Sequence, residues 1–149
     1  MNTTVTTNEI IQKKRAAICI DDDPYVLQML EIQLRDIFRN EPMLIELITD
    51  PCTTIQQIDC LQSNGYEIVF LITDYRMPQM SGYEFIYAVK TKFPGIASIL
   101  LSGQADKFEV RELLHTEVIT AFINKPWKLQ DLQTALTRIS QLKQQGLLK

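Results

Sequence analysis

The sequence predicts an α/β fold, a parallel sheet with helices on both faces, and three observations carry that reading. Short apolar runs alternate with amphipathic segments along most of the chain. The runs are continuously apolar rather than alternating, the pattern of strands buried on both faces. Each run ends in acids, a hydroxyl or a lysine. In a parallel sheet the strand C-termini share one edge, and α/β ligand sites form there.

The first strand is Ala16–Ile20, and Leu27, Leu30, Leu34 and Ile37 follow it at helical spacing. Leu44–Thr49, preceded by Pro42, is the second strand. A helix over Thr53–Gln62 stops before the turn signal Asn64-Gly65. Ile68–Thr73 is the third strand. Tyr83–Phe93 is a helix with Ile86, Val89 and Phe93 on one face, stopped by Pro94-Gly95. The fourth strand, Ile96–Leu101, leads to a short helix over 105–116. Ala121–Asn124 is the fifth strand, and Leu129, Leu132, Leu136 and Ile139 mark the last helix. The segments share no repeated motif, which excludes a solenoid. We divide the chain into a flexible leader (1–14), one folded domain (15–142) and a tail or start of a linker (143–149).

A chain of 149 residues suits one domain with a real core, and 46% hydrophobic content argues against disorder. The net charge of −3 leaves no footprint for direct nucleic-acid or membrane binding. No apolar run approaches the length of a membrane span, and Met1–Glu9 lacks the apolar core of a signal peptide. A cytoplasmic location is the expectation. Cys19, Cys52 and Cys60 fit no metal spacing and, being odd in number, no disulfide framework; Cys19 reads as a buried strand residue. The lone His115 reads as a surface residue.

Asp21-Asp22-Asp23-Pro24 divides by physics. Pro24 suits the first helical position and Asp23 the N-cap, leaving Asp21 and Asp22 at the strand end. Such a pair alone serves equally well as solvated acids. Asp74 shifts the balance, because it closes a strongly apolar strand where an acid is costly. Two carboxylates at ~4 Å repel by roughly 4 kcal/mol at an effective dielectric of about 20. Three together protonate or recruit a cation, and oxygen-only ligands favour a hard one, Mg²⁺. Lys125 and Ser102 close two further strands at the same edge, placed to meet a phosphoryl group.

These residues resemble the receiver domain of two-component response regulators. The resemblance runs co-linearly from about Ala16 to Leu142. It rests on Asp21-Asp22, the segment Asp74-Tyr-Arg-Met-Pro-Gln-Met-Ser-Gly82, Leu101-Ser102-Gly103 and Lys125-Pro126-Trp127. It implies a flavodoxin-like, doubly wound sheet of five strands in the order 2-1-3-4-5, flanked by five helices. It further implies Asp74 as phospho-acceptor, with Mg²⁺ held by Asp22, Asp74 and the backbone carbonyl of Arg76, and by Asp21 mainly through water. Ser102 and Lys125 would hold the phosphoryl oxygens. The donor would be a histidine kinase or a histidine phosphotransfer protein, and the output an unknown downstream protein. The chain would be no enzyme beyond its own phosphorylation and dephosphorylation.

Phe122 occupies the family's aromatic switch position, with a ring buried in both states as the alternative. Arg76 stands where the family tunes phosphoryl lifetime, by covering the phosphoryl group or by pairing with Gln104. Gly103 replaces the usual alanine, and Ser102 the commoner threonine. Asp74-Tyr-Arg-Met-Pro and Asn124-Lys-Pro-Trp127 are similar to receivers joined to HD-type phosphohydrolase outputs, though local packing explains Tyr75 and Trp127 equally well. The chain is then a stand-alone receiver or an excised one. Charges on the last helices leave dimerisation open.

Three other readings compete. A degenerate receiver, binding partners without phosphorylation, usually lacks one of the acids present here. An aspartyl phosphatase needs a second acid two residues after the nucleophile, where Arg76 stands. A flavin-binding protein needs a phosphate loop rich in Ser, Thr and Gly, whereas the first strand here leads into three acids.

Overall fold

The computed structural model describes residues 13–103 and 107–147. Strand β1 (Lys14–Ile20) leads to α1 (Pro24–Ile37), and β2 (Leu44–Ile48) to a 3₁₀ turn (Pro51–Thr53) and α2 (Thr54–Ser63). Then come β3 (Tyr66–Asp74), α3 (Gly82–Lys92), β4 (Ala97–Ser102), α4 (Lys107–His115), β5 (Ala121–Asn124) and α5 (Leu129–Gln144). The five strands form one sheet in the order β2-β1-β3-β4-β5, and every neighbouring pair is parallel.

The continuous apolar runs have their cause in two separate cores, one on each face of the sheet. Ile18, Ile20, Leu71 and Leu100 point to α2, α3 and α4, where Ile58, Phe85, Ile86 and Val110 receive them. Ala17, Cys19, Phe70, Ile72, Ile99 and Leu101 point to α1 and α5, against Leu30, Leu34, Leu132 and Ile139. Consecutive side chains on a strand face opposite ways, so a strand covered on both sides is apolar throughout.

Local chemistry sets the element ends. Asp23 caps α1, its carboxylate accepting the Tyr25 N–H at 2.9 Å, with Pro24 following in the first turn. Ser81 caps α3 through the Glu84 N–H at 3.1 Å. At the end of α2, Gly65 takes a φ of 87°, a conformation with little cost for glycine.

Some boundaries depart from the sequence reading. Strand β1 starts at Lys14, inside the segment assigned to the leader, and β3 starts two residues early at Tyr66. Lys14 pairs with Tyr66 in register, and its ammonium lies 5.3 Å from that ring centroid, so polar residues extend the pairing past the apolar run. Residues 1–12 lie outside the described residues. The expected helix start at Thr53 is a 3₁₀ turn instead, held by Asp50, whose carboxylate accepts the Cys52 N–H at 3.0 Å. Helix α5 continues to Gln144, into the segment assigned to the tail. In β3 the register against β1 slips between Ala16 and Ala17, so Val69 is an extra residue, a β-bulge.

Candidate functional site

The C-terminal ends of β1, β3, β4 and β5 bring together residues up to 104 positions apart in sequence. Asp21 and Asp22 follow β1, Asp74 ends β3, Ser102 ends β4, and Lys125 follows β5. Each of Asp21, Asp22 and Asp74 offers a carboxylate oxygen within 4.8 Å of the others. The Lys125 ammonium lies 3.0 Å from Asp74 Oδ1 and 3.4 Å from Asp21 Oδ2. The Lys125 N–H donates to the Ser102 carbonyl at 2.8 Å, which anchors the lysine loop to β4.

The environments differ. Asp21 is 1% exposed, and its Oδ1 accepts the Asp23 N–H at 2.9 Å. Burial pushes its carboxyl up to about 6; the Asp23 N–H and Lys125 oppose that rise, and the Asp74 charge adds to it. Burial also raises Asp74, against Lys125 and the Arg76 backbone N–H, while Asp22 adds to the rise. For Lys125, burial favours loss of the proton, but Asp74 and then Asp21 outweigh it and hold the ammonium above its ordinary value. Three carboxylates meeting one ammonium leave unbalanced negative charge. Burial chiefly raises the two carboxyls and the neighbouring acids add to it, and the all-oxygen donor set suits a hard divalent cation.

The β3–α3 loop is tightly held. The Tyr75 N–H donates to the Leu101 carbonyl at 2.9 Å, and the Tyr75 carbonyl accepts the Gly82 N–H at 2.6 Å. Arg76 pairs with Ser81 in an antiparallel bridge. A Cβ on Gly82 would sit 2.4 Å from the Asp74 carbonyl oxygen. Glycine therefore lets the first turn of α3 close onto the strand that carries Asp74, a role that motif reading left unassigned.

The remaining expected residues sit as follows. Ser102 is fully buried, its hydroxyl directed to the Gly103 carbonyl at 3.4 Å. Arg76 is exposed, and Gln104 lies outside the described residues. Phe122 is half-buried against the α2–α3–α4 core and lines a cleft of about 530 Å³ with Leu114, Pro126 and Arg138. The Lys125–Pro126 bond is cis, and the Trp127 indole N–H donates to Gln33 Oε1 on α1 at 2.6 Å.

One feature escaped the sequence reading. Tyr25, Met29 and Ile32 are 78%, 49% and 65% exposed, an apolar stripe on the outer side of α1 starting one turn from Asp22. Their spacing is the sign of a helix face. The stronger pattern of Leu27, Leu30 and Leu34, which is buried, masked it.

A doubly wound parallel sheet that gathers acids and a lysine at its C-terminal edge defines a class of acidic-site α/β domains. The family model described as the response regulator receiver domain matches residues 17–137, and the chain belongs to that family. Chemotaxis protein CheV1 of Helicobacter pylori is 26% identical over 121 residues, covering 74% of this chain and 35% of that protein. Two-component response regulator ARR16 of Arabidopsis thaliana is 30% identical over 80 residues, covering 52% of this chain and 48% of that protein. The chain thus spans less than half the length of these curated relatives. Among solved structures, the receiver domain of an HD domain-containing protein from Pseudomonas fluorescens Pf-5 superposes with a TM-score of 0.74 at 20% identity, covering 91% of this chain and 93% of that one. A receiver domain protein from Clostridium thermocellum gives 0.70 at 24% identity, over 91% and 99%. These likenesses establish the fold, with the strand order expected from the sequence. Among the described residues, no helix is long and apolar enough to cross a membrane.

Proposed function

We propose that this receiver accepts a phosphoryl group from a phosphohistidine onto Asp74, with Mg²⁺ at the acidic cluster, in a two-component or phosphorelay system. The observation that carries the reading is one carboxylate, Asp74, touched by Lys125 at 3.0 Å and grouped with two further acids at the sheet edge. A carboxylate oxygen of Asp74 attacks phosphorus. The new P–O bond forms as the P–N bond breaks, and its electron pair returns to the imidazole nitrogen of the donor.

Asp21, Asp22 and Asp74 are the side chains that would hold the metal, with the Arg76 carbonyl as a further ligand. Bound there, Mg²⁺ would supply positive charge to the phosphoryl oxygens. Lys125 stays protonated, so its ammonium is available to a transferred phosphoryl oxygen without a proton step. Ser102 requires a turn of its hydroxyl from the Gly103 carbonyl towards that oxygen, and Phe122 would turn inward as Ser102 moves. Arg76 would tune the lifetime of the product. The chain catalyses only its own phosphorylation and dephosphorylation.

The donor is a histidine kinase or a histidine phosphotransfer protein, acting in the cytoplasm. The Tyr25–Met29–Ile32 stripe supports docking of an apolar partner face beside the acids. An HD-type output remains part of this proposal, supported by the Asp74-Tyr-Arg-Met-Pro segment.

Intact mass after incubation with acetyl phosphate, with and without Mg²⁺, tests the reading on the native chain and on Asp74→Asn. The expected result is a phosphate-sized adduct that requires Mg²⁺ and is lost in the variant. A chain that neither binds Mg²⁺ nor gains the adduct would instead be a degenerate receiver that binds its partner without phosphorylation.

A further inference from the structure

A second cleft lies between the β3–α3 loop and α4, with a volume of about 300 Å³. Tyr75, Tyr83 and Phe108 supply aromatic walls, Glu109 and Glu112 supply carboxylates, and Leu113 closes the base. Among the described residues, no cationic side chain lines it. Phe108 is 76% exposed and Tyr83 40%, so both rings are open to a ligand. Tyr83 also stands 6.1 Å from Tyr87, itself exposed, which extends the aromatic surface along α3.

The chemistry of the walls selects the occupant. Aromatic faces attract a cation through the ring quadrupole, and carboxylates pair with it. An ammonium would keep most of its water at such an open site. A guanidinium is planar and weakly hydrated, stacks on rings, and presents a fork of donors to a carboxylate. The Tyr75 hydroxyl donates to Glu109, which fixes that carboxylate over the cleft while leaving it lone pairs to accept more N–H groups. Among the described residues, neither Glu109 nor Glu112 forms a salt bridge. Both are therefore available to an incoming cation.

We propose that this cleft receives an arginine side chain of a partner polypeptide. Tyr75 directly follows the phospho-acceptor position, so the anchor would sit beside the acidic site while using none of its residues.

The probe is N-acetyl-arginine amide, titrated into the unphosphorylated full chain and followed by amide ¹H–¹⁵N shifts. The expected result is saturable shifts at Tyr75, Tyr83 and residues 108–113, with the neutral isostere N-acetyl-citrulline amide binding at least about tenfold more weakly. Glu112→Gln should weaken the arginine probe by about tenfold, and Phe108→Ala, at an exposed position that leaves the core intact, should weaken it too. Equal binding of the two probes would overturn the proposal. So would shifts confined to Asp21, Asp22 and Asp74, or a Glu112→Gln titration matching the native one. None of these outcomes depends on Asp74 accepting a phosphoryl group, so the cleft and the phospho-acceptor can fail separately.

Discussion

Replacing Gly82 by alanine tests how tightly α3 must close on the strand that carries Asp74. An added Cβ would lie 2.4 Å from the Asp74 carbonyl oxygen, 2.8 Å from Tyr75 Cα and 3.1 Å from Leu100 Cδ1. The two shorter contacts are to backbone, so no rotamer change relieves them. Favourable non-bonded carbon contacts fall at about 3.5–4.0 Å, so helix and strand must separate by roughly 1 Å. Overpacking of this kind costs about 1–3 kcal/mol. The ordinary gain of a Gly→Ala change, about 0.4–1 kcal/mol, offsets only part of it. The expected net loss is about 1–2 kcal/mol, a fall in Tm of roughly 2–8 °C for a domain of this size. Urea unfolding followed by circular dichroism measures it. Gly103→Ala is the control, because among the described residues its Cβ meets nothing within 4 Å, and its stability should stay within about 0.5 kcal/mol of the native value. Adding Leu100→Val to Gly82→Ala should restore little, since the leucine contact is the longest of the three. A Gly82→Ala protein as stable as the native chain would refute the reasoning.

Three further expectations follow from the same geometry. The Asp21 carboxyl rises from 3.8 unfolded to about 6 folded, so between these values the native state binds more protons and metal-free stability falls as pH rises. The whole effect is at most about 3 kcal/mol; Asp21→Asn should flatten that part of the profile in urea titrations from pH 4 to pH 7. Cys52 and Cys60 are exposed while Cys19 is buried with its thiol pushed up to about 12, so a thiol reagent at pH 8 should label two cysteines in the native protein and all three once it unfolds. Trp127→Phe removes the 2.6 Å bond to Gln33 and should cost about 1 kcal/mol, with a double-mutant cycle against Gln33→Ala recovering most of it as coupling.

Much of this architecture was legible from residue order alone. The strands were visible because burial on both faces removes polar residues from them, and the acids stood out because they end such runs. Asp21, Asp22, Asp74 and Lys125 are brought together as expected. What sequence could not supply was distance. Gly82 owes its importance to a carbonyl eight positions earlier that only the folded loop brings near. The aromatic cleft needs Tyr75 and Glu109, 34 positions apart, on one rim. The 3₁₀ turn escaped because Pro51 and Thr53 fit a helix start equally well, and only the Asp50 cap decides between the two. Outward-facing Tyr25, Met29 and Ile32 share a helix with a stronger buried stripe, so periodicity identified the helix and hid its second face.

The Trp127–Gln33 bond ties two regions that the chain keeps 94 positions apart. Gln33 adjoins Ile32, the last member of the exposed stripe, and Trp127 lies two residues beyond Lys125. The bond therefore joins α1, beside the stripe, to the loop that follows Lys125. A substitution that loosens the indole should therefore be felt at both ends of the link, in α1 beside the exposed stripe and in the loop after β5, although neither the stripe nor the acids had been touched.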